Sequence, residues 1–191
     1  QRMSRGLGDV YKRQVYEFKT DEVMVTYPLG GEHFVGDETQ ALRWDAQGNS
    51  GTFDIDYSTD NGASWSAVAT GINGDLRYYD WDVPMVETAQ ALVRVTRGGN
   101  SGQSAVPFNI YPVPENLEVD YVCPTETRIK WDAVPGANSY EVYMLGQKYM
   151  EIVGSTSATF WDTVGLPGAS VEWFAVRALG PNGEIGRRTL A

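Results

Sequence analysis

The sequence predicts an all-β chain built of two antiparallel β-sandwiches in tandem, and three observations carry that expectation. Short runs with period-two alternation recur from Val23 onward. They are separated by Gly, Asn, Asp and Pro at intervals of about 8–12 residues, the spacing of sandwich strands. The composition suits turns and a packed core, with 21 glycines and 9 prolines beside 42% hydrophobic residues. Finally, Tyr111-Pro112-Val113-Pro114 breaks the pattern near the middle. Its two prolines hold the backbone extended and remove two ladder donors. Residues 112–114 therefore read as a short stiff linker between a first sandwich at 15–111 and a second sandwich at 115–191.

In the first half, strands are expected near 22–28, 39–45, 52–58, 65–70, 76–83, 91–97 and 104–110. In the third run, Phe53, Ile55 and Tyr57 alternate with Asp54 and Asp56, which is one dry face and one wet face. Ala91, Val93 and Val95 form the dry set of the sixth, against Arg94 and Thr96. The second half repeats the pattern near 116–121, 127–133, 139–145, 148–153, 157–164, 171–179 and 184–190. No run sustains helical period, so helix should be negligible. Trp44, Trp81 and Trp131 lie in phase with core positions.

Residues 1–14 differ from all of this. Arg2, Arg5, Lys12 and Arg13 stand against the single acid Asp9. The run Asp9-Val10-Tyr11-Lys12-Arg13-Gln14 resembles a translated sequencing adapter, so the segment is read as non-native and the chain is expected to begin inside a longer gene. Without it, 11 of the 15 basic and 24 of the 25 acidic residues remain.

A formal net charge of −10 argues against nucleic acid, whose phosphates demand a basic face. No stretch approaches the roughly 18 apolar residues that span a bilayer. The lone Cys123 has no internal partner for a disulfide. A small buried thiol is the expected state, with pairing to a cysteine outside this chain as the alternative.

Motifs for catalysis are missing. His33 is the only histidine, and with no H-E-x-x-H and no nearby thiol it reads as a turn or surface residue. Neither G-x-G-x-x-G nor G-x-x-x-x-G-K-[ST] occurs, so no nucleotide cofactor is expected. Asp54, Asp56, Asp60, Asp75, Asp80 and Asp82 lack the loop spacing that a calcium site needs, and no metal is expected. As a glycosidase pair these acids carry no specificity, because any sheet offers two carboxylates at that spacing.

Ser58-Thr59-Asp60-Asn61-Gly62-Ala63-Ser64-Trp65 fits the Asp-box pattern S-x-D-x-G-x-x-W. In one copy it reads as a structural hairpin: Asp60 accepts backbone donors across the turn, Gly62 takes positive φ and Trp65 caps it. Tyr78, Tyr79, Trp161 and Trp173 lie beside inward residues and are the candidate binding aromatics. A row of exposed rings would stack on sugars or anchor a protein partner.

Several segments resemble known modules. In the second half these are Pro114 and Leu117, then Ile129, then Trp131-Asp132-Ala133-Val134-Pro135-Gly136-Ala137 leading into Tyr140-Glu141-Val142-Tyr143. Leu166-Pro167-Gly168, Phe174-Ala175-Val176-Arg177-Ala178 and Pro181-Asn182-Gly183 follow. Residues 113–191 thereby resemble a fibronectin type III domain, with Glu172 where that family usually places a corner tyrosine. Tyr27-Pro28-Leu29-Gly30-Gly31-Glu32-His33-Phe34, Leu42-Arg43-Trp44, the Ser58–Trp65 turn and Tyr79-Asp80-Trp81-Asp82-Val83-Pro84 resemble an immunoglobulin-like module of bacterial exported proteins. The resemblance implies non-catalytic spacer or binding modules, extracellular or at the cell surface, that meet a protein or glycan. The alternatives it leaves are the accessory region of an exported hydrolase, most plausibly a protease, and a carbohydrate-binding module.

Overall fold

The structure is a computed structural model that describes residues 23–123, 125–164 and 172–189. Its described residues contain fifteen strands and no helix. The first nine are β1 (Val23–Tyr27), β2 (His33–Phe34), β3 (Thr39–Ala46), β4 (Thr52–Ser58), β5 (Ser66–Asn73), β6 (Tyr78–Asp82), β7 (Thr88–Arg97), β8 (Asn100–Gln103) and β9 (Phe108–Ile110). The remaining six are β10 (Glu118–Cys123), β11 (Glu126–Lys130), β12 (Ser139–Leu145), β13 (Met150–Thr156), β14 (Phe160–Val164) and β15 (Phe174–Leu179).

In the first half a sheet of order β1-β3-β6 faces one of order β2-β9-β7-β4-β5, with β8 also paired to β7. All these pairs are antiparallel except β2–β9, which is parallel and sets His33 opposite Asn109 and Phe34 opposite Ile110. Alternation fills the space between the sheets. Val25, Leu42, Trp44 and Trp81 come from one sheet and Phe53, Ile55, Val93, Val95 and Phe108 from the other, all buried. Trp44 meets Phe53 edge-on with centroids 5.2 Å apart, and Phe108 packs on Phe34 at 5.0 Å. Each such side chain contributes about 1.5–3 kcal/mol by leaving water.

The second half also has two sheets, of order β10-β11-β14 on one side and β13-β12-β15 on the other. Ile129, Trp131, Tyr140, Val142, Val176 and Ala178 form its core, and Tyr111 joins them at 0% exposure. The Tyr140 hydroxyl accepts the Val134 N–H at 2.9 Å, so this buried phenol is satisfied by the loop after β11. A final segment completes the second sheet without regular pairing. Ile185 bridges to Leu179, Gly186 N–H donates to Ala178 O and Thr189 N–H to Val176 O.

The all-β sandwich expectation holds, while several elements differ from it. The run expected at 104–110 shortens to β9, and β8, which the sequence reading did not expect, lies before it. β8 escapes notice because Asn-Ser-Gly-Gln carries no apolar alternation. What builds it is the turn before it: Gly98 and Gly99 take φ of 56° and 89°, between Arg97 and its partner Asn100. Positive φ at both central residues is what a two-residue hairpin requires. β2 has only two residues, too few to show a period. The strand expected at 184–190 reduces to the single bridge at Ile185 among its described residues. β13 begins and ends later than the run at 148–153.

Two residue expectations are overturned. Cys123 is exposed, because it ends β10, an edge strand. His33 is neither in a turn nor free on the surface: it is half-buried in β2 and bonded across to the second half.

Candidate functional site

The Ser58–Trp65 turn joins β4 to β5 and spends its polar atoms on itself. Ser58 Oγ donates to Asp60 Oδ1 (2.7 Å) and accepts the Gly62 N–H (2.8 Å). Ser64 gives Asp60 both its N–H (2.9 Å) and its hydroxyl (2.6 Å). Trp65 Nε1 donates to Gly62 O, where φ is 86°. The Ser64 hydroxyl and N–H, then the Ser58 hydroxyl, hold the Asp60 carboxyl down to about 2. Arg94 covers the Trp65 ring at 4.1 Å while pairing with Asp56 at 2.8 Å. With every one of these donors and acceptors engaged, the arrangement works as a clip on a hairpin.

The four candidate aromatics do not form a row. Tyr78 is 53% exposed on β6, whereas Tyr79 beside it points to the other face and packs against the first core. Trp161 packs against the second core and lies over Gly154, where any Cβ would collide with its ring. Trp173, 50% exposed, precedes β15 on a different sheet from Tyr78. Trp44, Trp81 and Trp131 are all buried.

An apolar face that the sequence reading missed runs across β13-β12-β15. Directly paired residues share a face, so Tyr143 stands with Ile152 and Ala175, and Leu145 with Met150. Leu145 N–H donates to Trp173 O at 2.9 Å, which brings Trp173 alongside. Ile152, Leu145 and Trp173 are exposed, whereas Tyr143 is buried. The signal was present in Tyr143-Met144-Leu145, apolar on both faces of one strand.

The second feature missed is the junction between the halves. Ile185 is held at both its peptide groups by two residues that pair with each other on β2 and β9. Its N–H donates to Asn109 Oδ1 (2.9 Å), and its carbonyl lies 2.8 Å from His33 Nδ1. A carbonyl only accepts, so the Nδ1–H is the donor of this bond. Arg187 completes the seam with a two-pronged pair to Glu38, at 2.8 and 2.7 Å. The Glu38 hydrogen bonds raise the Arg187 pKa further above its ordinary value. Tyr111 packs in the second core, with its hydroxyl buried and without a partner among the described residues. Burial first, then Glu87 from one half and Glu184 from the other, push that phenol up. Burial would also raise the Glu184 carboxyl, yet N–H donors of its own backbone and of Asn182 hold it below the usual range.

Among the described residues no cluster of three or more His, Cys, Asp or Glu is placed to hold a metal. No helix there is long and apolar enough to cross a membrane.

No family model matches the chain. No curated protein matches it either. Solved structures resemble it in outline. A two fibronectin type III domain segment from chicken tenascin is 12% identical over 88% of this chain and 95% of that one, with a TM-score of 0.45. A cytokine receptor complex is 14% identical over 88% and 100%, with a TM-score of 0.49. The fibronectin(III)-like modules of Clostridium thermocellum CbhA are 12% identical over 87% and 90%, with a TM-score of 0.33. These likenesses concern the fold alone. The assignment rests on the strand order and the packed cores: this chain is an all-β protein of antiparallel sandwich architecture.

Proposed function

We propose that the chain is a non-catalytic spacer and binding segment of a larger exported bacterial protein. It comprises an immunoglobulin-like module at 15–111 and a fibronectin type III module at 115–191, with residues 1–14 foreign to it. The observation that carries this reading is the junction. A spacer that orients its neighbours needs its modules held at a set angle, and the seam has the means. Ile185 is bonded on both peptide groups, Arg187 grips Glu38, and Tyr111 is buried at the join. Flexible neighbours joined by a bare linker would show none of these, since relative motion is the default where an interface is small. The strand order of the first half supports the immunoglobulin-like reading, because each sheet collects the strands expected of a Greek-key sandwich.

A carbohydrate-binding module would need coplanar exposed rings, and Tyr78 and Trp173 stand on separate sheets. Small-angle X-ray scattering of the full chain tests the spacer reading. One orientation of the two sandwiches should account for the profile. A profile that demands an ensemble of widely different angles would reject it.

A further inference from the structure

A cleft of about 510 Å³ opens at the junction, where His33 of β2 faces Tyr143, Met150, Arg177, Arg187 and Arg188. Its cations are unequally engaged. Arg187 is occupied by Glu38 through both terminal nitrogens. Arg177 gives only its Nε to Glu141, at 2.6 Å, so its terminal nitrogens have no partner among the described residues. Arg188 is exposed and stacks on the Tyr143 ring with no hydrogen-bonded or ionic partner among the described residues, its guanidinium carbon 5.1 Å from the centroid, while that of Arg177 lies 5.5 Å from the same centroid. Two guanidinium groups over one ring, with Glu141 the one carboxylate paired to either of them among the described residues, leave one positive charge without a partner there. This occurs in a chain whose net charge is −10.

We propose that this cleft is an anion-binding site that takes the carboxylate of an acidic side chain on a protein partner. Guanidinium forks match a carboxylate in two-pronged geometry, and stacking on Tyr143 holds them ready for it. The strongly acidic remainder of the molecule repels a polyanion, so the ligand carries one isolated negative group. Next to the arginines on the same sheet face lie Met150, Leu145, Ile152 and Trp173. The residues flanking the acid are therefore apolar. An acidic sugar fits less well, because the arginines cover Tyr143, which is 6% exposed, and leave it no free face for a pyranose.

The inference rests on the reading of the chain as a binding segment, and its test is separable from that of the spacer. The full chain, labelled with nitrogen-15, is titrated with the capped peptide Ac-Leu-Asp-Leu-NH2, with its Asn counterpart and with glucuronate. The Asp peptide should shift the Nε–H signals of Arg177 and Arg188 and saturate. The Asn peptide should bind roughly tenfold more weakly, the worth of one charge-assisted pair. Arg188→Gln, which removes the stacking on Tyr143 and none of the seam bonds, should lose a similar factor while the scattering profile stays unchanged. No shift at millimolar peptide, equal affinity for the Asn peptide, or tighter binding of glucuronate than of the Asp peptide would each overturn the proposal. Failure here with a single orientation in scattering leaves the spacer reading standing. Independent motion with intact peptide binding would do the reverse.

Discussion

At the scale of single residues, the physical cost of each side chain separates packing from function. Tyr111 is fully buried and its hydroxyl has no partner among the described residues, a group that costs about 1–3 kcal/mol to desolvate. Tyr111→Phe removes that penalty and keeps the ring, so urea unfolding should show unchanged or higher stability. A loss above about 1 kcal/mol would mean that the hydroxyl has a partner. Gly154 sits where Trp161 crosses β13, next to the bulge opposite Val142 and Tyr143. Gly154→Ala should cost about 1–3 kcal/mol by displacing that ring, measured in the same way. Asp60, held to about 2 by Ser64 and Ser58, titrates below its ordinary 3.8. Its folded pKa is depressed, so its contribution is full above 3.8 and is lost as pH falls through about 2. A carboxyl-carbon NMR titration should give a midpoint near 2, and one near 3.8 would show the clip to be open in solution.

At the scale of elements, the seam is short-range chemistry on long-range partners. Glu38 and Arg187 are each about a third exposed. Breaking such a pair costs under about 1 kcal/mol. Glu38→Ala should therefore leave the unfolding midpoint nearly unchanged yet broaden the distribution of angles between the sandwiches in scattering. A large stability loss with no broadening would place the pair in the core economy of one half instead. Strands with clear alternation were legible in the sequence: β4 shows Phe53 and Ile55 against Asp54, and β12 matches its expected 139–145 span. β8 was not, since polar residues hung on a Gly-Gly turn have no periodicity, although Arg97-Gly98-Gly99-Asn100 was itself a readable hairpin signal. Nor was His33, because a two-residue strand has no pattern and its partner Ile185 lies 152 positions away. The Asp-box turn was legible because its donors and acceptors are local. The apolar face of β12 and the arginines above it were not, because tertiary stacking on Tyr143 brings them together.

At the scale of the whole molecule, two separate cores are joined at their seam by two bonded residues of the closing segment, Ile185 to Asn109 and His33, and Arg187 to Glu38. In the proposed spacer, the bonds of Ile185 and Arg187 are what hold the angle between the halves. The spacer reading depends on that angle, whereas the arginines and Tyr143 of the cleft all belong to the second half, with His33 alone reaching it from the first. The exposed Cys123 on β10 makes the direct measurement available. With Ser66→Cys on the exposed start of β5 as a second site, spin labels report the distance between the halves by double electron–electron resonance. The account predicts one narrow distance distribution that broadens when Glu38→Ala is added. A broad distribution in the chain with Glu38 intact would contradict it.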